Sequence, residues 1–457
     1  TNDNRLIFAS ETGIVEVPPE NVLKRGKLKP GQMLLVNLVE HSFEEDASIK
    51  KRLSRASDYI GWNKKLIINE SELGEPFQSN AHRAARPEPS DLLKAQLLFG
   101  YSKEDIKYIL KPMVASGSEP IGSMGNDSPL AVFARRNAHL SNYFKQLFAQ
   151  VSNPAIDPIR EKAVMSLAVY LGQSNNLLED NDPTSRKIVL EQPVLTSQKL
   201  DKLRNGPPEG FNSQCLKACY NPEKYALKEA IEQKAKEAAQ WVRAGANLLV
   251  LSNNPQPNQL SIPSLLITGA VHHHLIKEGI RARVSLIIEA GDATETHHFA
   301  TLIGYGASAV CPYLAIDTIR SLTEPEQEEQ AVSQYIKAIG YGLRKILSKM
   351  GISTLQSYES AQIFEILGLN DEVVNLCFKG TPSRIGGKGF EELEQELIQN
   401  QQLTRSVTNS GSALADGGIY QWRVEGEKHL FNPKTIHLLQ KSTRLNDQEL
   451  FRAYCRE

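Results

Sequence analysis

Histidine, cysteine and glycine recur in this chain in short clusters, and their spacing limits the chemistry they can do. His272, His273 and His274 are consecutive in "GAVHHHLIKEG", a stretch read as helix. Consecutive helical residues point to different faces, so the three cannot share one metal, and the i, i+4 pair that metal sites use on one face is missing. The reading is a buried or interfacial helix whose imidazoles are satisfied by hydrogen bonds. His297 and His298 follow Asp292 and Glu295 at a second helix start, where capping accounts for the acids without catalysis. Cys215 and Cys219 stand at i and i+4, but zinc needs two further ligands at comparable spacing, so both are read as free thiols. Cys311 lies in an apolar run away from any electropositive helix start, and no G-x-S-x-G elbow is present. The residues assemble no nucleophile, metal set or cofactor grip.

Two glycine-bearing loops remain. "GSMGND" (Gly122, Ser123, Met124, Gly125, Asn126, Asp127) has the small residues of an anion-binding nest, although a tight structural turn explains it as well. "SRIGGKG" sets Arg384 and Lys388 beside three glycines, which would suit a phosphate, but it lacks Walker spacing and a preceding strand. In "EAGDATETHHFATLIGYGASAVCPYLAI" a strand, a short glycine loop, a helix and a second strand follow one another. Barrels that bind flavin or sugar phosphates place backbone amides and a glycine loop here, whereas this second strand ends in "CPY".

These residues sit in a chain of changing character. Up to about Glu75 it reads as β-rich, with "RLIFASETGIVEVP" and "GQMLLVNLV" as strands between Pro/Gly punctuation. "SNAHRAARPEPS" reads as an exposed connection. "SDLLKAQLLFG" is a helix with Ser90 or Asp91 as N-cap, and "SKEDIKYILKPM" a second one capped by Ser102. "HLSNYFKQLFAQVSNPAIDPIREKAVMSLAVYLG" is expected to hold two helices split by the "NPAIDP" turn. From about Val194, apolar strands alternate with helices: "NLLVLS", "RVSLIIEA" and the quoted segment. That pattern implies a parallel sheet buried on both faces, either a complete or partial (β/α) barrel or an open doubly wound sheet. "EEQAVSQYIKAIGYGLRKILSKM" is a long helix running into "GISTLQSYESAQIFEILGL". After Gly380 the chain is expected to be irregular, ending in an amphipathic tail. The fold class is therefore α/β: a degenerate (β/α) barrel-like parallel sheet with an N-terminal β-rich segment and a helical insert. The divisions are 1–78, 79–192, 193–380 and 381–457.

With 457 residues the chain can bury a large core, and 40% hydrophobic and 23% charged residues are ordinary for a globular protein. A net charge of -1 gives no reason to expect nucleic acid or an anionic membrane as partner, and no apolar run is long enough to span a bilayer. Five scattered cysteines fit a reducing cytoplasm better than a disulfide framework. The N-terminus has no signal-peptide pattern and starts at Thr1, which is read as a processed or excised piece.

"EPIGSMGNDSPLAVF", "YFKQLFAQVSNPAIDPIREKAVMSLAVYLG", "HHHLIKEGIRARVSLIIEAGDATETHHFATLIGYGASAVCPYLA" and "ILSKMGISTLQSYESAQIFEILGL" resemble the central region of the glutamate synthase large chain. "GTPSRIGG" and "FNPKTIHLLQ" resemble its connection to the flavin domain, so the likeness covers nearly the whole chain. The resemblance implies a segment that joins an amidotransferase domain to an FMN-binding domain and helps to shape the ammonia tunnel between them. In such enzymes ammonia from glutamine meets 2-oxoglutarate, and electrons pass through an iron–sulfur cluster and FMN from ferredoxin or an NAD(P)H-linked subunit. It implies no catalytic, cofactor-binding or metal-binding residue in this stretch. The interdomain or tunnel candidates are the Gly122–Asp127 loop and Lys349, Met350 and Gly351.

Several positions depart from the patterns of flavin barrels or of the family. Glu289-Ala290-Gly291 stands where phosphate barrels commonly carry Asp-Gly-Gly, and Pro312-Tyr313 replaces the phosphate-side glycine. "KILSKMGISTL" holds no cluster cysteine, and Thr1 is not the catalytic cysteine. Asn253-Asn254 stands where the family usually shows Asp-Arg, which puts a family contact there in question. A free-standing flavin or sugar-phosphate barrel enzyme and a separate scaffold subunit are the competing readings.

Overall fold

The computed structural model describes residues 1–11, 13–73, 86–122, 125–147, 162–174, 185–405, 407 and 413–457. Most of the "SNAHRAARPEPS" connection, the "NPAIDP" turn, Ser123 and Met124 lie outside the described residues. The chain divides into two compact units, Thr1–Lys65 and Leu66–Glu457.

In the first unit, β1 (Leu34–Asn37) and β2 (Ser42–Glu45) pair antiparallel, with Leu34 opposite Glu45. Helices α1 (Asp46–Ser54) and α2 (Tyr59–Leu66) follow. The expected strand over Arg5–Pro18 does not form among the described residues. Its apolar residues alternate, but no neighbouring strand takes up the backbone hydrogen bonds that define a ladder.

The second unit is built on alternating strands and helices. It opens with β3 (Ile67–Asn69), α3 (Pro89–Leu98) and α4 (Lys111–Ser116), the last entered through a π-helical turn at Asp105–Leu110. α3 starts with Pro89 at its first turn and neither Ser90 nor Asp91 as cap, because proline's fixed φ and missing N–H suit that position. Ser102 does cap the next turn: its Oγ accepts from the Asp105 amide at 3.3 Å while the Asp105 carboxylate accepts from the Ser102 amide at 2.7 Å.

Of the stretch expected to hold two helices, residues 148–161 lie outside the described residues and 162–164 are helical; the rest forms a 3-10 turn at Leu140–Tyr143 and the strands β4 (Phe144–Gln146) and β5 (Val169–Leu171). The cause is tertiary. Phe144 is fully buried among Tyr305 and Phe378, with ring centroids 5.4 and 4.8 Å away. Its backbone pairs with a strand more than two hundred residues later. β5 pairs in turn with β6 (Lys187–Leu190), which also pairs with β3.

After α5 (Ser197–Asn205) comes the central sheet. Its strands are β7 (Ser213–Lys217), β9 (Leu248–Ser252), β11 (Ser285–Glu289) and β12 (Ala307–Cys311), all parallel and adjacent in chain order. Val194 adds a parallel bridge to Val310 on the outer side of β12. Every residue of β9, β11 and β12 is buried, as uniformly apolar parallel strands require. Between them run the short antiparallel pair β8 (Cys219–Tyr220) and β10 (Leu260–Ser261), with α6 (Leu227–Arg243) and α7 (Ser264–Lys277). α6 buries Leu227, Ala230, Ile231, Ala235, Ala238, Ala239 and Val242, one stripe at helical spacing that packs on α7. α8 (Thr296–Gly304), α9 (Tyr313–Ser321) and the long α10 (Glu328–Met350) complete this region. The result is a mixed α/β fold with a parallel sheet, and no closed barrel forms among the described residues.

The region beyond Met350 departs from the sequence reading. α10 stops at Gly351, which adopts φ 68° as a left-handed cap, and Phe364–Leu369 forms β13. After α11 (Asp371–Cys377), the chain beyond Gly380 is regular as far as Arg405, with β14 (Ser383–Lys388) parallel to β13 and α12 (Phe390–Arg405) against α3, whereas residues 413–432 are irregular as expected. Glycines at 386 and 387 masked the strand in the sequence, since they lower β propensity without preventing pairing. Two helices, α13 (Pro433–Leu445) and α14 (Gln448–Arg456), follow.

Candidate functional site

The four parallel strands end on one edge, and that edge is where α/β sheets place their ligands. Here the chain's own side chains occupy it. Asp292, just past β11, accepts from the Ser264 amide at the start of α7 at 2.9 Å. It also accepts from Asn253 Nδ2, just past β9, at 3.0 Å, and Asn253 Oδ1 accepts from the Gly291 amide at 2.8 Å. Tyr101 Oη, arriving from the α3 end, donates to the Gly291 carbonyl at 3.1 Å. Phe99 meets Tyr313 edge-on at 6.4 Å. Gly291 has no room for a side chain, because a Cβ would stand 2.6 Å from Phe99 Cζ and 2.7 Å from Tyr313 Oη. The Glu289 carboxylate is wholly buried and paired with Arg204 at 3.1 Å.

A flavin phosphate needs free amides at a helix start and no anion beside them. At this edge the Ser264 amide already serves a carboxylate, and Phe99 and Tyr101 fill the approach. FMN therefore does not fit.

Beside the plugged edge lies a polar shell. His139 and His298 stack at 3.7 Å with their planes 22° apart. Burial holds both imidazoles below their ordinary pKa, so they are neutral. His298 Nδ1 accepts from the Thr294 amide at 3.1 Å and its Nε2 lies 3.4 Å from Glu295. Glu295, with 28% of its side chain exposed, is pushed up to about 7 by burial and then by the nearby charges of Asp105 and Glu119. The expected capping role of the acids is corrected here: Asp292 caps α7, a different helix, and Glu295 makes no capping bond to α8. Among the described residues no group of three or more His, Cys, Asp or Glu could hold a metal ion.

A second feature had no signal in the sequence. The segment Ala415–Phe431 is strapped across the region around Lys103–Arg136 by buried carboxylates. Glu104, 3% exposed, accepts from the amides of Ile419, Tyr420 and Gln421 at 2.7, 3.2 and 3.3 Å. Glu427, 4% exposed, accepts from the amides of Arg135 and Lys428 at 3.0 and 2.9 Å. Arg136 donates to the Gly417 carbonyl at 2.5 Å. Gly417, at φ +90°, lies so close to Glu104 that a Cβ would sit 2.6 Å from the carboxylate. Asp127 accepts from the Phe431 amide and contacts His429 Nδ1, both at 2.8 Å.

Of the loop Gly122–Asp127, then, Asp127 is engaged, while Gly122 and Gly125 face open space and Asn126 turns its amide oxygen onto the Ser128 amide at 3.0 Å. At the α10 end, Lys349 is exposed, Met350 is in the core and Gly351 is the helix cap. The phosphate reading of "SRIGGKG" fails: Lys388 is paired with Glu396 and lies over the Tyr143 ring, and Arg384 is 76% exposed near Glu365. His272, His273 and His274 diverge around α7, and the expected hydrogen-bond satisfaction is only partial, since His272 Nε2 and His273 Nε2 are buried with no partner among the described residues. His272 is buried, accepts from Arg281 Nε at 2.9 Å and is depressed to about 3 by burial and the Arg281 charge. Cys215, Cys219 and Cys311 lie on strands and none of them is in a disulfide. Asn253 keeps a structural contact at the position where the family pairing was in question.

Residues 94–370 match the family described as glutamate synthase central domain, and residues 1–62 match the class-II glutamine amidotransferases. The chain is 41% identical over 99% of its length to the glutamate synthase [NADPH] large chain of Bacillus subtilis, covering 30% of that protein. It is 39% identical to the ferredoxin-dependent glutamate synthase of Pyropia yezoensis, over 99% of this chain and 30% of that one. With the glutamate synthase [NADH] of Schizosaccharomyces pombe it shares 38% over its full length, covering 22% of that protein. The chain thus spans less than a third of the length of these curated relatives. Among solved structures, a mutant flavocytochrome b2 with benzoylformate aligns at a TM-score of 0.25 and 11% identity, over 36% of this chain and 45% of that chain.

Proposed function

Because more than half of its residues match the central domain of glutamate synthase, the chain belongs to that family, and from this premise we propose that it is the non-catalytic joint of such an enzyme. In this reading the whole protein converts glutamine, 2-oxoglutarate, two electrons and two protons into two glutamates. Ammonia is released on the amidotransferase side, which residues 1–62 begin to resemble, and reduction takes place in an FMN domain served by an iron–sulfur cluster. Ferredoxin or an NAD(P)H-linked subunit supplies the electrons, in the cytoplasm or a plastid stroma. The segment contributes the wall and spacing between the two reactions. Gly122–Asp127 and Lys349–Gly351 are its interdomain or tunnel candidates. Residues 1–78 and 381–457 are the connections on either side of a helical part (79–192) and a degenerate barrel part (193–380).

The observation that carries the reading is the plugged strand edge. A parallel sheet in sequential order, closed over by Phe99, Tyr101 and the Asn253–Asp292 pair, is what a barrel becomes when its ligand position is given to packing. The same plug weighs against a free-standing flavin or sugar-phosphate enzyme. The size of the native gene product tests the proposal, read by immunoblot with an antibody to this segment. A band several times larger than the chain's 50.8 kDa is expected. A band at 50.8 kDa would make it an independent protein and sink the joint.

A further inference from the structure

His429 sits with 6% of its side chain exposed, and each ring nitrogen faces an acceptor. Nδ1 lies 2.8 Å from Asp127 Oδ1, and Nε2 lies 2.7 Å from the Gly418 carbonyl oxygen. A neutral imidazole has one N–H and one lone pair, so it can satisfy only one of these acceptors and would turn its lone pair on the other. Only the imidazolium donates to both. Asp127 does not supply the second proton. Burial alone would raise its carboxyl, but the Phe431 amide and His429 outweigh that and hold it below the usual carboxylate range, ionised and accepting.

We propose that His429 is a protonation-dependent latch: as an imidazolium it ties Asp127 to the Gly418 carbonyl, and on losing a proton it releases one of the two. The latch spans residues about three hundred apart in sequence, and it closes the Ala415–Phe431 strap onto Asp127. It goes beyond the enzymatic reading and rests on contacts within the chain alone.

The surroundings favour the charged form. Asp127 and Glu104 face the ring from the first half of the unit, and Glu427 and Lys428 stand beside it on its own segment. From α14, Tyr454, Cys455 and Glu457 line the same cleft of about 500 Å³, with Glu457 paired to Lys434. Burial pulls the imidazolium down, but the Asp127 bond, the Gly418 carbonyl and the Asp127 and Glu104 charges overcome it, so the pKa rises above 6.5. A raised histidine contributes its full stabilisation below 6.5 and loses it as pH climbs through the raised value. Asp127, depressed, loses its share only as pH falls through a value below 3.8. The latch is closed between the two.

Amide hydrogen exchange in the 457-residue chain reads this directly, corrected for the intrinsic pH dependence of exchange. Protection of the Phe431 and Ile419–Gln421 amides should fall as pH rises through the His429 titration. The fall should be about tenfold for each unit by which folding raises the pKa. His429→Arg places two non-titrating donors in reach of the same acceptors, with the cleft giving room for its length, and should hold protection flat across that range. His429→Gln, with one donor group and one acceptor, should be unprotected throughout. Heavy-nitrogen NMR of the wild-type ring, which needs no variant to fold, should show both nitrogens protonated in more than half of the molecules at pH 6.5. A ring that titrates at its ordinary 6.5, or wild-type protection as flat as that of the arginine variant, would overturn the proposal.

Discussion

Asn253 joins the ends of two strands through one side-chain amide, donating to Asp292 and accepting from Gly291 at a position 1% exposed. The sequence marks Asn253-Asn254 as unusual but not why it is tolerated, because the partners lie about forty residues away and become neighbours only once β9 and β11 pair. Asn253→Asp would set a carboxylate against Asp292 with no donor between them. The expected loss is about 3 kcal/mol at neutral pH. Part of it should be recovered in acid, because a proton placed between the two facing carboxyls restores the missing donor. Urea unfolding at neutral and acid pH checks this, and an equal loss at both would contradict the account. The latch histidine belongs to the same scale: a single proton decides whether both of its acceptors are satisfied.

Elements differ in how far their sequence reveals them. β9, β11 and β12 were legible because five-residue apolar runs buried on both faces look the same wherever they occur. α6 was legible from its stripe of alanines and aliphatics. β4, β5, β13 and β14 were not, since short strands carry weak patterns and their pairing is settled by partners distant in sequence. The strap was invisible for a further reason: carboxylates that receive backbone amides have no periodicity. Glu104 serves three amides of the strap, so Glu104→Gln, which keeps one acceptor oxygen and adds unwanted donors, should weaken it by about 2 kcal/mol. Limited proteolysis should then cut within 417–427 at least tenfold faster at unchanged global stability. Cleavage at the wild-type rate would mean that the strap is held by something else.

At the scale of the molecule, four parallel strands lie side by side in chain order, and the edge where they end is filled by the chain's own side chains. The family was legible from long ordered motifs, and the departure from a phosphate grip from Glu289-Ala290-Gly291 and Pro312-Tyr313; that Phe99 and Tyr101 fill the edge was not, because a plug is defined by what it meets. In the proposed reading such a sheet serves as a wall between two reactions. The most direct test of the proposed joint is made on the native protein. Glutamine carrying heavy nitrogen in its amide is supplied with 2-oxoglutarate, reductant and an excess of unlabelled ammonium, and the new amino group of glutamate is analysed. Passage along an enclosed path predicts undiluted heavy nitrogen in the wild type and dilution when Gly122 and Gly125 are both replaced by bulky residues. Label diluted to the level of free mixing in the wild type would contradict the proposal that this segment helps to enclose the ammonia path.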